Sequence, residues 1–178
     1  RIAVAAVLPS QDDLFFVPYA VSEPEQLEER ECLRIWQRAN DLPWEIARTK
    51  RCLIRESILS DLDDFYRIYG EPGNGQFCIG ERLGADHALE ADKLAAYRKQ
   101  MYGFYGYGLW TVCLAENGRV IGRAGIGLPQ ASEQQSAVIP ELGYAIDRAF
   151  RRQGYAEEVC RAILRAAFEE LGLPQVAG

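Results

Sequence analysis

A strand, a short basic loop and a helix follow one another in residues 140–171, and together they could bind an anion. The run Pro140–Ile146 has strand character, Arg151-Arg-Gln-Gly forms the loop, and a helix is predicted to begin near Tyr155. The first backbone amides of a helix lack partners within it, and the helix dipole places partial positive charge beside them. Gly154 has no Cβ, so a ligand could approach the backbone closely there. The pattern predicts a phosphate or pyrophosphate site, and an ordinary glycine-containing loop accounts for the spacing equally well.

Charged side chains of both signs surround this loop. Arg151 and Arg152 would add positive charge beside the helix start, whereas Glu157 and Glu158 would compete with an anion if they faced it. The loop matches neither the GxxxxGKS/T phosphate loop nor the GxGxxG dinucleotide fingerprint, which disfavours nucleoside triphosphates and NAD.

The single histidine, His87, argues against a serine or cysteine triad and is interpreted as a surface residue near a helix start.

The predicted helix carries one apolar stripe that would pack it onto a sheet. Apolar residues recur at steps of three and four along it, which is typical of a helix with one buried face. Cys160 belongs to this stripe, so the sequence favours a packing role over that of an acyl carrier. Gly172 and Pro174 would end the helix. The stripe consists of Ala156, Val159, Cys160, Ile163, Leu164, Ala167, Phe168 and Leu171.

Five further elements are predicted upstream. Arg51–Glu56 alternates as a strand, and Ser60 would cap a helix that Gly70 ends in a left-handed conformation. Leu89–Tyr102 is predicted to be a second helix. Two strands on either side of Asn117-Gly118 predict a hairpin with a two-residue type I′ turn.

The first 46 residues form a separate segment whose chemistry the sequence does not reveal. Two strand-like runs, Ile2–Leu8 and Leu14–Val21, precede a helix predicted from Pro24 to about Asn40. The pattern loosely resembles the closing strands of a Rossmann-like domain, such as that of a haloacid-dehalogenase-type hydrolase. Residues 1–46 are therefore interpreted as a segment of unknown role or the remnant of a fused domain.

The overall composition excludes several kinds of partner and site. The 178 residues carry a formal net charge of −6, which disfavours nucleic acid as a partner, and no apolar run is long enough to span a membrane. The five cysteines lie singly along the chain, so neither a zinc site nor a disulfide framework is predicted. Reduced cysteines favour the cytoplasm.

The loop and its surroundings resemble the GNAT N-acetyltransferases. The hexapeptide Arg151-Arg-Gln-Gly-Tyr-Ala156 matches the signature R/Q-x-x-G-x-G/A of that family. The opening Thr49–Glu56, the hairpin, the strand and the helix occur in the family's order. The similarity extends from about Thr49 to the end, and is greatest to the branch that includes ribosomal-protein N-terminal and spermidine acetyltransferases. It implies an α/β (α+β) fold in residues 49–178, with a mixed, mostly antiparallel twisted sheet flanked by helices.

The resemblance also implies acetyl-CoA as co-substrate, a primary amine of a small molecule, peptide or protein as acceptor, and no metal. Backbone amides from Arg152 to Ala156 would hold the pyrophosphate. The strand edge from Tyr144 to Ile146 would pair with the pantetheine arm, and one of its amides would polarise the thioester carbonyl. Glu141 is the candidate general base, directly or through water; the alternative is a strand residue that only orients a neighbour. The implied cofactor-binding residues are Tyr144, Ala145, Ile146, Arg151, Arg152, Gln153, Gly154, Tyr155 and Ala156.

One departure from the family concerns the end of the chain. In the family, the helix that Gly172 ends is followed by a strand, a helix and a closing hairpin, which supply a tyrosine general acid and part of the acetyl-CoA groove. This sequence stops at Gly178, so the domain is expected to lack its C-terminal strands. The competing hypothesis is a non-catalytic CoA- or phosphate-binding module, or an accessory lobe of a fused hydrolase. An exposed sheet edge could favour a homodimer.

Overall fold

The computed structural model describes residues 6–7, 20–21, 27–70, 83–128 and 139–178. The chain divides into two units, Arg1–Trp44 and Glu45–Gly178. In the first unit, β1 (Ala6–Val7) pairs in parallel with β2 (Ala20–Val21), and α1 spans Glu29–Ala39. The other residues of the two predicted strands, and the predicted start of the helix at Pro24, lie outside the described residues.

The second unit is built on a five-stranded sheet in which every neighbouring pair of strands is antiparallel. The predicted α/β class and the mostly antiparallel sheet flanked by helices are confirmed. Strands β4 to β7 lie where the sequence predicted them, whereas β3, which is only four residues long, was not predicted. The strands, in spatial order, are β3 (Glu45–Arg48), β4 (Cys52–Arg55), β5 (Leu109–Leu114), β6 (Val120–Gly127) and β7 (Glu141–Ile146).

Helices cover both faces of this sheet. On one face, α4 (Tyr155–Glu169) packs Val159 and Ile163 into a core that includes Val112 of β5. On the other face, α2 (Leu62–Gly70) packs Phe65 against Cys113, the next residue of β5. Successive residues of a strand point to opposite faces, so β5 is buried along its whole length. Among the described residues, no helix is both long and apolar enough to cross a bilayer.

The α2 face also holds a helix that changes its winding. Helix α3 (His87–Tyr97) begins with an Asp86 cap and continues as a π-helical turn over Arg98–Tyr105. The turn places the buried Tyr102 so that its hydroxyl donates to the Leu109 carbonyl, which anchors the start of β5. His87 is exposed at the helix start, as predicted.

Three local predictions were wrong. The hairpin closes through Ala115–Gly118, with the Leu114 N–H donating to the Arg119 carbonyl, and Gly118 alone of the Asn-Gly pair has a positive φ. The type I′ turn is therefore absent. Gly70 is the last residue of α2 but does not have a left-handed φ. A 3-10 turn precedes α2 and is capped by Asp61, which accepts from the Ile58 N–H, in place of the predicted Ser60 cap.

A buried polar network joins this cap to the sheet. The Asp61 carboxylate, which is 3% exposed, accepts two hydrogen bonds of 2.7 Å from the Arg55 guanidinium. It also accepts from the Thr111 hydroxyl (2.8 Å), whose oxygen in turn accepts from the Ser57 hydroxyl (2.9 Å). A buried ion pair whose remaining lone pairs are satisfied tolerates the loss of one partner poorly, because the other charge stays buried.

We expect Asp61→Asn to destabilise the protein by about 3 kcal/mol, because the Arg55 charge would remain buried without its counter-ion. For a chain of this size the melting temperature should fall by roughly 10 °C. Asp63→Asn is the matched control, since the Asp63 side chain is 92% exposed in the same helix start. Equal melting temperatures for the two variants would show that the buried pair contributes nothing to stability.

Candidate functional site

The chain between β7 and α4 adopts a strained turn at the helix start. After a 3-10 turn at Arg148–Phe150, Arg152 has φ 57° and Gly154, the N-cap of α4, has φ 79°. A left-handed conformation is uncommon for a residue with a Cβ, and such residues cluster at binding sites. The first amides of α4 therefore follow a strained turn of the kind that is often found at binding sites.

A cleft of about 890 Å³ lies between this turn and β7. It joins the predicted strand edge to the predicted anion loop, and it includes eight of the nine residues implied as cofactor-binding. The ninth, Gln153, does not line the cleft, because its side chain donates to the Ala149 carbonyl (2.8 Å). The lining residues are Leu142, Gly143, Tyr144, Ala145, Ile146, Phe150, Arg151, Arg152, Gly154, Tyr155, Ala156, Glu157 and Cys160.

The outer edge of β7 changes its pairing along its length. At its start, the Leu142 N–H donates to the Ala177 carbonyl (2.7 Å), in a parallel bridge. Backbone groups alternate between the two sides of an antiparallel strand, so the N–H and C=O of Tyr144 point to the same outer side as those of Leu142. No described strand pairs with Tyr144 there. The carbonyl of Ile146 accepts from Arg151 Nε (2.9 Å), which fixes that arginine at the end of the cleft.

Arg51 lies in the turn between β3 and β4, and it contacts the anion loop without lining the cleft. Its Nη1 donates to the Gln153 carbonyl (2.9 Å), and its Cζ lies 4.1 Å from the centroid of the Tyr155 ring. Its Nε and backbone N–H both donate to Glu158, at 2.6 Å and 3.0 Å. Sequence analysis missed these contacts because Arg51 lies about a hundred residues from the loop and no local pattern marks it.

The two acidic residues of the first helical turn are each paired with an arginine. Glu158 is bound to Arg51 and is absent from the cleft lining, while Glu157 lines the cleft and forms an exposed ion pair with Arg161 (2.9 Å). Burial opposes ionisation of Glu158, but hydrogen bonds from Thr49 and Arg51 outweigh it and hold its pKa below the ordinary value. Negative charge at the helix start is thus either neutralised or exposed to water.

The lowered pKa of Glu158 predicts a pH-dependent contribution to stability. The ionised carboxylate stabilises the fold fully above its ordinary pKa of 4.5, and this contribution is lost as the pH falls through the lowered folded value. The melting temperature of Glu158→Gln should therefore lie below that of the wild type by a constant amount between about pH 6 and 8, and the gap should narrow below about pH 4.5. Glu157→Gln, in an exposed pair, should stay close to the wild type. A gap that widens in acid would contradict this assignment.

The far side of the turn is held by an ion pair between α2 and the end of β7. Arg67 pairs with the buried Asp147, donates to Asp64 (2.8 Å) and donates to the Val120 carbonyl (2.9 Å). Asp147 also accepts from the Ala149 N–H (2.9 Å), which starts the 3-10 turn. These contacts were not predicted, since they join residues that only the folded sheet brings together.

The positions of Glu141 and Cys160 relative to the cleft and the core bear on the roles that the sequence analysis considered for them. Glu141 is half-buried at the start of β7 and does not line the cleft. Cys160 was predicted to pack in the core, but it is half-buried and lines the cleft, and Phe168 of the same stripe is 47% exposed. Burial raises the pKa of the Cys160 thiol, so it is protonated at neutral pH.

Comparison with known proteins identifies the family. The family model described as the acetyltransferase (GNAT) domain matches residues 51–178. The chain belongs to the GNAT acetyltransferase family. The signature loop of this GNAT domain is the strained turn that begins α4, and its cleft is formed by the strand and helix on either side of that loop.

Solved structures share the fold of this GNAT domain. A GNAT-family acetyltransferase from Bordetella pertussis has a TM-score of 0.60 and 18% identity, over 73% of this chain and 75% of that chain. An acetyltransferase from Agrobacterium tumefaciens str. C58 has a TM-score of 0.56 and 24% identity, over 73% and 70%. A ribosomal-protein-S5-alanine acetyltransferase from Vibrio fischeri has a TM-score of 0.53 and 12% identity, over 76% and 72%. At these identities the likeness establishes the fold alone.

Proposed function

We propose that this protein transfers an acetyl group from acetyl-CoA to a primary amine of a small molecule, a peptide or a protein. The observation that carries the proposal is the cleft, which joins the edge of β7 at Tyr144, where no described strand pairs, to the first amides of a strained helix start. A donor with a diphosphate at one end and amide groups along its arm has complementary chemistry at both places.

The residues of the cleft suit such a donor. The amides from Arg152 to Ala156 would hold the diphosphate, with Arg151 and Arg152 adding positive charge. Gly154 leaves the backbone open to a phosphate, because a Cβ is absent at its left-handed position. The outward N–H and C=O of Tyr144 would pair with the amide-containing arm as with an added strand.

Acyl transfer in this cleft would need a polarised carbonyl and a proton acceptor. Acetyl-CoA supplies an activated thioester: the amine nitrogen forms the amide bond as the C–S bond breaks, and the proton of the amine is released while the departing sulfur takes one up. An outward N–H of β7 would stabilise negative charge on the carbonyl oxygen. Glu141 would accept the proton of the amine through a water molecule, since it lies at the start of the same strand but outside the cleft lining.

The acceptor is proposed to be cationic before it reacts. The formal net charge of −6 attracts ammonium groups, both of small polyamines and of protein amino termini. One structural neighbour is described as acting on the alanine of ribosomal protein S5, which makes a protein amino terminus one of the two acceptor classes to test. The free thiols of Cys32, Cys52, Cys113 and Cys160 agree with a proposed cytoplasmic location.

A thermal titration tests the donor site. Acetyl-CoA and desulfo-CoA should both raise the melting temperature of the full chain, because a ligand that binds only the folded state stabilises it, while ADP should act weakly. A screen of polyamines and amino-terminal peptides for acetylated product would then test transfer. A folded protein that none of these nucleotides stabilises would contradict the proposal.

One observation favours a second candidate, a CoA-binding module without catalysis. Glu141, the candidate base, does not line the cleft. Stabilisation by acetyl-CoA without acetylation of any amine, and without hydrolysis of the thioester, would support the module over the enzyme.

A further inference from the structure

We infer that Arg51 is a positioning residue, which holds the start of α4 in the conformation that binds the donor. The inference rests on the proposed function, since it concerns the same cleft. Arg51 does not line the cleft and therefore acts through other residues. Its role follows from what it binds, which is both the backbone of the anion loop and the first turn of the helix.

The contacts of Arg51 converge on the strained part of the loop. The carbonyl that accepts from Nη1 belongs to Gln153, which lies between the two left-handed residues Arg152 and Gly154. Its guanidinium also covers the ring of Tyr155, which makes an edge contact with the Phe150 ring as well. An unsupported loop could relax from two left-handed residues that one residue separates, because each is strained or entropically costly. The guanidinium opposes that relaxation through its contacts with Gln153 and Tyr155.

Arg51 also controls the charge beside the proposed anion site. Both carboxylate oxygens of Glu158 accept from Arg51, one from the side chain and one from the backbone. Without the guanidinium, an uncompensated carboxylate would remain in the first turn of the helix, where a donor diphosphate would be repelled. Arg51 thus acts in two ways, as a support for the loop and as a counter-charge for Glu158.

These two roles predict a distinctive pattern in a double-variant experiment. Arg51→Met removes both the support and the counter-charge, and should weaken desulfo-CoA binding about tenfold or more. Adding Glu158→Gln removes the carboxylate charge that Arg51→Met leaves without a counter-ion. The double variant should therefore bind desulfo-CoA about two- to fivefold more tightly than Arg51→Met does. Simple loss of stability would leave the double variant no better than Arg51→Met. The recovery should also shrink at high salt, because it is electrostatic.

The neighbouring strand offers a matched control. Arg48 forms an exposed ion pair with Glu45 (2.7 Å) on β3, so Arg48→Met removes an arginine and its pair without reaching the loop. It should bind desulfo-CoA as the wild type does. If Arg51→Met fails to fold, Arg51→Lys retains a cation but not the fork that reaches Gln153 and Glu158 together, and should weaken binding by an intermediate factor.

Hydrogen exchange separates this inference from the proposed function. In the absence of any nucleotide, amides of the segment 152–157 should exchange faster in Arg51→Met than in Arg48→Met, at a temperature where both are folded. Equal exchange in the two variants, or wild-type affinity for desulfo-CoA in Arg51→Met, would overturn the inference. A wild-type protein that binds no CoA, but shows the exchange difference, would refute the donor site and leave the support of the loop intact.

Discussion

Gly154→Glu is expected to abolish stabilisation by acetyl-CoA, which corresponds to at least about a 100-fold loss of affinity. Gly154 has φ 79°, and a Cβ there would lie 3.5 Å from Arg51 Nη2, an ordinary contact. The fold can therefore accept the side chain at the cost of about 1–2 kcal/mol of backbone strain. The new carboxylate would lie at the N-cap of α4, where it would take up the helix amides and repel the donor diphosphate.

Gly118→Glu separates this effect from backbone strain and added charge. Gly118 has φ 73° and open space around its Cβ position, in the hairpin loop between β5 and β6. Both variants should lose a similar amount of stability in thermal melts without ligand. Only Gly154→Glu should lose the rise in melting temperature with acetyl-CoA. An undiminished rise in Gly154→Glu would place the donor elsewhere.

Glu141→Gln is expected to lower kcat for acetyl transfer about 100-fold, if the carboxylate accepts the proton of the amine. The substitution preserves size and hydrogen-bonding capacity, and Glu141 does not line the cleft, so affinity for acetyl-CoA should remain unchanged. Steady-state rates with a saturating donor, measured across pH, are the test. The rate of Glu141→Gln should rise with pH toward that of the wild type, as more of the amine is deprotonated without assistance.

Glu116→Gln, exposed in the hairpin loop, provides the control for loss of one negative charge. It should show wild-type rates. A Glu141→Gln enzyme with wild-type kcat and an unchanged pH profile would assign Glu141 a structural role, consistent with its parallel bridge to Ala177. The proton would then pass directly to solvent.

The sequence was most informative where one local pattern determines one element. The end of the strand at Ile146 and the start of the helix at Tyr155 were predicted at their observed positions, because an apolar alternation and an apolar stripe each depend on neighbours a few residues away. The hairpin strands were found for the same reason. The turn between the two strands was predicted wrongly, because the four residues Ala115–Gly118, rather than the Asn-Gly pair alone, connect the last hydrogen-bonded residues of the hairpin.

The conformation of the predicted anion loop was only partly predictable from the sequence. The glycine at position 154 indicated a close backbone approach, but no sequence pattern indicated that Arg152 would also be left-handed. Arg51, which the sequence places about a hundred residues away, donates to the carbonyl of the adjacent Gln153. Cys160 lines the cleft although it belongs to the apolar stripe, because a helical stripe does not encode which neighbour each of its residues meets.

The sequence alone determined the family, the order of strand, loop and helix, and the residues that begin α4. These depend on residue types at short spacings, where backbone geometry and periodic burial leave few alternatives. Only the tertiary structure determined the neutralisation of Glu158, the support of the loop by Arg51, and the fixing of β7 through Asp147 and Arg67. Each of these joins charged groups that are far apart in the chain. Their attraction acts over a few ångströms, so it becomes specific only after the sheet has brought them together.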